Sequence, residues 1–181
     1  MTVSAMVLAA GRGERMRPLS AVLPKPALPL LQQPVIASGI RLAEAAGAAR
    51  VIVNTWHLAD LMEARLDEIE PPGPTIVVSR ETELMGTAGG IALARDRGLL
   101  GDRGPVLVIN GDGLLDLDLE PLFRRVETSD DHISLALLPH PDRRRWSRIS
   151  LDQNGLVAKI RRPGAAAANE TSFLYPGVML V

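Results

Sequence analysis

The 181-residue sequence contains no cysteine, which excludes a disulfide framework and any thiolate metal site. It also lacks a long hydrophobic run. Stretches such as Val3 to Ala10 stop well short of the roughly 18 residues that a membrane-spanning helix needs, so no span is expected. Net charge is nearly absent, formally −1, so nothing pulls the chain globally toward nucleic acid or a membrane surface. Met1 to Ser4 carries no basic start, and the apolar stretch behind it runs into Gly11 and Arg12. No secretory signal is therefore expected, and the cytoplasm is the expected compartment. Lysine is scarce: of 20 basic residues only Lys25 and Lys159 are lysine. A compact ammonium does what a planar guanidinium cannot, so each remaining lysine gains weight as a candidate. What the chain does have is apolar residues, 46% against 23% charged, which excludes overall disorder and fits one domain of ordinary size.

Apolar runs and breakers alternate along the chain. Val3 to Ala10 reads as a buried strand running into a long loop, where Pro18, Pro24, Pro26 and Pro29 forbid a regular helix before Leu30. Helical spacing follows over Val35 to Ala46, strand over Val51 to Val53, helix over Leu58 to Ile69, and strand over Thr75 to Ser79. Gly86 opens a helix to Arg97, Val106 to Ile109 is strand, and Leu119 to Val126 is helix. Ile133 to Leu138 reads as one strand, and Phe173 to Val181 as another. Between them Ile149–Leu151 and Leu156–Ile160 flank a turn at Asn154-Gly155, a β-hairpin pattern. Residues 163–168 form a low-complexity connector. This order predicts an α/β, Rossmann-like, doubly wound fold with a mostly parallel sheet and a C-terminal hairpin region. One domain spanning 1–181 is expected. Because the chain stops at Val181 inside an apolar strand, it reads as a fragment of a longer protein.

In such a fold, ligands gather at the carboxyl ends of the strands. The loop from Leu8 to Leu19, followed by Pro24-Lys25-Pro26, lies at one such end. Its glycines let backbone N–H groups approach a ligand, and Arg12, Arg15, Arg17 and Lys25 against Glu14 leave a local charge of +3. That composition suits phosphate. A Walker A loop is excluded, since no Gly-Lys-Ser/Thr closes it, and a dinucleotide fingerprint is excluded by Met16 and Pro18.

The joint motif Leu8 to Leu19 with Pro24-Lys25-Pro26 closely resembles the signature of the sugar-phosphate nucleotidyltransferases. Glu83 to Gly90 resembles that family's base-and-sugar loop, and Asn110-Gly111-Asp112 its metal-binding strand end. Loop style is nearest the mannose 1-phosphate guanylyltransferase and N-acetylmuramate 1-phosphate uridylyltransferase branches. The resemblance implies transfer of a nucleotidyl group from an NTP, GTP or UTP favoured, to a sugar 1-phosphate, with release of pyrophosphate. It implies that Ala9, Ala10, Gly11 and Gly13 border the nucleotide, that Arg15 holds the β- and γ-phosphates, and that Lys25 bridges the α-phosphate and the sugar phosphate. It also implies Gly86, Thr87, Ala88 and Gly89 on the base-and-sugar side, Arg162 and Gly177 near the sugar, and Asp112 as a Mg²⁺ ligand. Homo-oligomerisation is compatible with it; nucleic acid and membrane are not expected partners.

Several positions depart from the family pattern. Arg161-Arg162-Pro163 stands where a Glu-Lys-Pro is common, and Tyr175-Pro176-Gly177 places proline mid-strand. The family's second metal-binding aspartate has no counterpart before Val181; Asp116 and Asp118 are the substitutes at hand. A non-catalytic nucleotide- or sugar-phosphate-binding module is the rival reading. Glu81 and Glu83 read as solvated acids, and His57, His132 and His140 as histidines without partners. Arg143-Arg144-Arg145-Trp146 with Arg148 reads as a solvated basic rim rather than a nucleic-acid patch.

Overall fold

Strand β1 (Ser4–Leu8) buries Ala5, Met6 and Val7 completely, because it lies inside a sheet covered on both faces. The structure, a computed structural model, describes residues 3–69, 73–101, 104–128, 132–140, 146–163 and 171–181. No α-helix forms in the proline-punctuated loop after β1, only three 3₁₀ turns, Glu14–Met16, Leu19–Ala21 and Lys25–Ala27. A short ribbon of β2 (Pro29–Leu30) and β3 (Gln33–Pro34) follows. Then come α1 (Ile36–Ala45), β4 (Arg50–Thr55), α2 (Ala59–Asp67), β5 (Thr75–Arg80), α3 (Gly86–Asp96), β6 (Val106–Asn110) and α4 (Glu120–Thr128).

The first sheet has the order β5-β4-β1-β6, all parallel, extended by the antiparallel strand β12 (Val178–Leu180) and the edge strand β7 (Ser134–Leu135). Side chains alternate faces along each strand, and the core divides accordingly. Ala5, Val7, Val51, Val53, Leu107 and Ile109 meet Ile36 and Ile40 of α1 and Met62 of α2 on one face. Met6, Ile52, Val106 and Val108 meet Ile91 and Ala94 of α3 on the other. The doubly wound, mostly parallel α/β reading is borne out.

A second, antiparallel sheet has the order β10-β9-β11-β8. Its hairpin is the predicted one, β9 (Arg148–Leu151) against β10 (Val157–Arg161), with Asp152 Oδ1 accepting the Asn154 and Leu156 amides at 2.8 and 2.9 Å. Two expectations need correction here. The stretch Ile133 to Leu138 is two strands, β7 in the first sheet and β8 (Leu138–Pro139) in the second. Phe173 to Val181 likewise divides into β11 (Phe173–Leu174) in the second sheet and β12 in the first. At the second break Gly177 takes φ +95, and its carbonyl accepts the Asn110 amide at 2.8 Å. In the first run Ala136 and Leu137 carry the apolar pattern across the break, so nothing local marks it; in the second the break falls at Tyr175-Pro176-Gly177. Residues 164–168 of the connector and Arg143-Arg144-Arg145 lie outside the described residues; Arg148, read as part of the same solvated rim, is instead buried at the start of β9. Among those described, no helix is long and apolar enough to cross a membrane.

Candidate active site

The chain runs from β1 outward to β4 and β5, then returns to β6 on the other side of β1. Loops leaving β1 and β6 therefore diverge and open a crevice at their carboxyl ends, the expected ligand position of such a sheet. A pocket of about 240 Å³ lies there. Leu8, Ala9, Ala10, Gly11 and Gly13 line it after β1, Asn110 and Asp112 after β6, Leu84, Gly86 and Thr87 at the start of α3, and Lys25 and Pro26 from the long loop.

Lys25 is aimed by its neighbours. Pro24 and Pro26 are buried, and the turn is closed by the Ala27 amide donating to the Pro24 carbonyl at 2.9 Å. Two fixed φ angles and a buried anchor hold the backbone from which the lysine stem enters the pocket. Its Nζ donates to Asp112 Oδ2 at 2.6 Å, across 87 residues of sequence. Both side chains stay partly open to solvent, at 27% and 39%. The structure thus places a cation and a carboxylate, read independently from two motifs, in direct contact.

The opposite wall depends on residues that sequence reasoning missed. Asn54, near the end of β4, accepts the Ala9 amide on Oδ1 at 2.9 Å. Its Nδ2 donates to Glu81 Oε1 at 2.8 Å, and Glu81 Oε2 accepts the Met85 amide at 3.1 Å. Glu81 is only 4% exposed, so its reading as a solvated acid is corrected: the carboxylate is buried and accepts from two N–H donors, Asn54 Nδ2 and the Met85 amide. Glu83 is exposed, as read. No local sequence signal marks the pair, because the partners are 27 residues apart and meet only through the β4–β5 pairing.

Other candidates lie nearer the rim. Arg15 is exposed on its 3₁₀ turn and off the pocket lining, as are Ala88 on α3 and Arg162 after β10. Gly89 is half-buried against Met85, and Gly177 is buried behind Asn110. Arg12 lies 5.2 Å from the Trp56 ring centroid, a cation–π contact at the loop's edge. Two of the three histidines have partners, against the reading from sequence. His57 Nε2 donates to the Ser20 carbonyl at 2.7 Å and pins the loop to the end of β4, and His140 Nε2 donates to Ser147 O at 3.1 Å. Asp118 is not in the pocket: its Oδ1 accepts the Glu120 amide at 3.0 Å at the start of α4, a capping role. Asp116 lines a different groove.

A nucleotidyl transferase family model matches residues 4–170. The chain belongs to that family. N-acetylmuramate alpha-1-phosphate uridylyltransferase of Neisseria meningitidis serogroup B is 36% identical over 179 residues, which cover 97% of this chain and 74% of that one. Mannose-1-phosphate guanyltransferase beta-B of Xenopus laevis is 33% identical over 123 residues, 67% of this chain and 34% of its own length. Among solved structures, HddC from Yersinia pseudotuberculosis superposes with a TM-score of 0.81 at 24% identity, covering all of this chain and 76% of HddC. That likeness speaks for the fold. The reading of a sugar-phosphate nucleotidyltransferase is borne out at the level of family and reaction class.

Nucleotidyl transfer uses a triphosphate, whose charge a divalent cation commonly offsets. Asp112 offers a hard carboxylate oxygen on the pocket wall. Among the described residues no group of three or more His, Cys, Asp or Glu side chains could hold a metal. One carboxylate with phosphate oxygens and water completing the shell is the usual Mg²⁺ arrangement, and the residues fit it.

Proposed function

We propose that this nucleotidyltransferase joins a nucleoside triphosphate to a sugar 1-phosphate, with GTP or UTP as the donor and Mg²⁺ as the metal. The observation that carries the reading is the Lys25–Asp112 contact at 2.6 Å on the wall of a pocket whose β1 side is lined by Ala9, Ala10, Gly11 and Gly13. In the reaction an oxygen of the sugar phosphate attacks the α-phosphorus, one P–O bond forms, and the bond to pyrophosphate breaks in line. No protein nucleophile takes part, so the protein's task is to position two anions and offset their charge.

The Ala9, Ala10, Gly11 and Gly13 backbone borders the nucleotide, and small side chains permit that approach. Lys25 leaves Asp112 for the α-phosphate and the incoming sugar phosphate, holding two anions that otherwise repel. Arg15 reaches in from the rim to the β- and γ-phosphates and steadies the departing pyrophosphate. Gly86, Thr87, Ala88 and Gly89 face the base and sugar, while Arg162 and Gly177 border the sugar side. Asp112 holds Mg²⁺, which supplies charge neutralisation on the triphosphate. Residues 1–181 act as one nucleotidyltransferase domain, in the cytoplasm.

The choice of GTP or UTP follows the guanylyl and uridylyl names of the two relatives. A pyrophosphate-release assay tests the reading, with the four ribonucleotides and dTTP against mannose, glucose and N-acetylmuramate 1-phosphates. Signal with GTP or UTP, dependent on Mg²⁺ or Mn²⁺, is expected. Silence across the whole panel from folded protein would overturn it.

A further inference from the structure

We propose that Asn54 and Glu81 form a strap that sets the distance between the two walls of the pocket, making Glu81 a positioning residue for nucleotide binding. The proposal rests on the nucleotide reading above. At one end of the strap is the Ala9 amide and at the other the Met85 amide. Ala9 and Gly86, the residue after Met85, both line the pocket, so the strap spans from one wall to the other.

The chemistry of the strap is fixed by its ends. A backbone N–H can only donate, so a link between two of them must present an acceptor at each end. Asn54 turns Oδ1 to Ala9, which leaves Nδ2, a donor, facing position 81. Position 81 therefore needs two acceptors, one for Nδ2 and one for the Met85 amide. A carboxylate has them; a glutamine has one. Asn54 is 3% exposed and Glu81 4%, so a mismatched group there has no water to turn to. The space is also reserved. A Cβ on Gly90 would lie 2.8 Å from Glu81 Oε1 and 3.0 Å from Asn54 Nδ2, so glycine at this point of α3 lets the pair sit beneath the helix.

The order of donors and acceptors gives a test by transposition. Glu81→Gln sets a donor against a donor, and Asn54→Asp sets a carboxylate against a carboxylate. In the double variant Asn54→Asp/Glu81→Gln the new carboxylate accepts from Ala9 and from the new amide, whose oxygen accepts from Met85. The register is restored with the charge moved one residue along. Each single variant should weaken binding of GTP and UTP, titrated separately with Mg²⁺ by calorimetry, about tenfold. The double variant should recover most of that loss. Amide hydrogen exchange at Ala9 and Met85 should speed up in the single variants and slow again in the double.

A double variant that binds no better than the weaker single variant would overturn the strap, since the carboxylate would then act from position 81 itself. Single variants that lose melting temperature but keep wild-type affinity would also overturn it, reducing the pair to core filling. If wild-type protein bound neither nucleotide, the nucleotide reading would fall, while the exchange measurement would still decide whether the strap exists. Should a single variant not fold, Gly90→Ala takes its place by crowding the pair without removing either group. Wild-type affinity in that variant would equally sink the proposal.

Discussion

Lys25 is the residue on which the proposed chemistry turns, and its setting predicts how it fails. Lys25→Ala removes the cation from the pocket wall and leaves Asp112 without its 2.6 Å partner. kcat/KM should fall by about two powers of ten or more, since the lost group acts where charge develops. Lys25→Arg should recover only part, because a planar fork held between buried prolines cannot reproduce a point charge. Steady-state kinetics on both variants check this, and near wild-type turnover in Lys25→Ala would remove the lysine from the reaction. Tyr175 carries a different expectation. Burial pushes its hydroxyl from the ordinary 10.0 up to about 12. Between those values the unfolded chain has lost a proton that the folded chain keeps, so stability is intact below about pH 10 and declines as pH climbs through about 12. Tyr175→Phe should flatten that decline in denaturant titrations compared at about pH 9 and about pH 11. At this scale Lys25 and Asp112 were legible because each sits in a local motif. Asn54 and Glu81 were not, because their meaning lies in partners far along the chain.

Elements were legible where one strand or helix kept one environment. The buried parallel strands and the hairpin read directly, since apolar runs and an Asn-Gly turn are local signals. Strands that change sheets did not: Ala136 and Leu137 carry the apolar pattern straight through the first break, and at the second the Pro176-Gly177 breaker is there but lies inside a run that reads as one strand. Gly177 makes the break before β12, and its cost can be predicted. It holds φ +95, and a Cβ there would lie 2.6 Å from Asn110 Nδ2 and 2.8 Å from Asn110 Cβ. Gly177→Ala should therefore destabilise by about 2 kcal/mol or more, combining backbone strain with a clash that pushes Asn110 off the pocket wall. Gly155, in the hairpin turn, has φ +77 but nothing within 4 Å of the added carbon. Gly155→Ala should cost only about 1 kcal/mol, the backbone part alone. Chemical denaturation of the two variants separates the contributions. Equal losses would mean that the contact with Asn110 yields without cost.

At the scale of the whole molecule, the two sheets are stitched together twice. The chain passes from β7 in the first sheet to β8 in the second, and from β11 in the second back to β12 in the first. The returning strand β12 buries Val178 and Leu180 beside β6, so the second sheet cannot leave without drawing on the central core. Local contacts do not announce this coupling, which is why the sequence pattern suggested a core followed by an appended hairpin region. It predicts a single cooperative unfolding transition rather than early loss of the smaller sheet. The chain supplies its own reporters, since it has two tryptophans. Trp56 follows β4 of the first sheet under Arg12, and Trp146 precedes β9 of the second. In Trp146→Phe the fluorescence follows the first sheet alone, and in Trp56→Phe the second alone. Each should trace the same denaturant midpoint as the far-ultraviolet circular dichroism of its own variant. A Trp146 transition that ends before the circular dichroism begins to fall would mean that the antiparallel sheet unfolds by itself. The two strand crossings would then be hinges rather than ties.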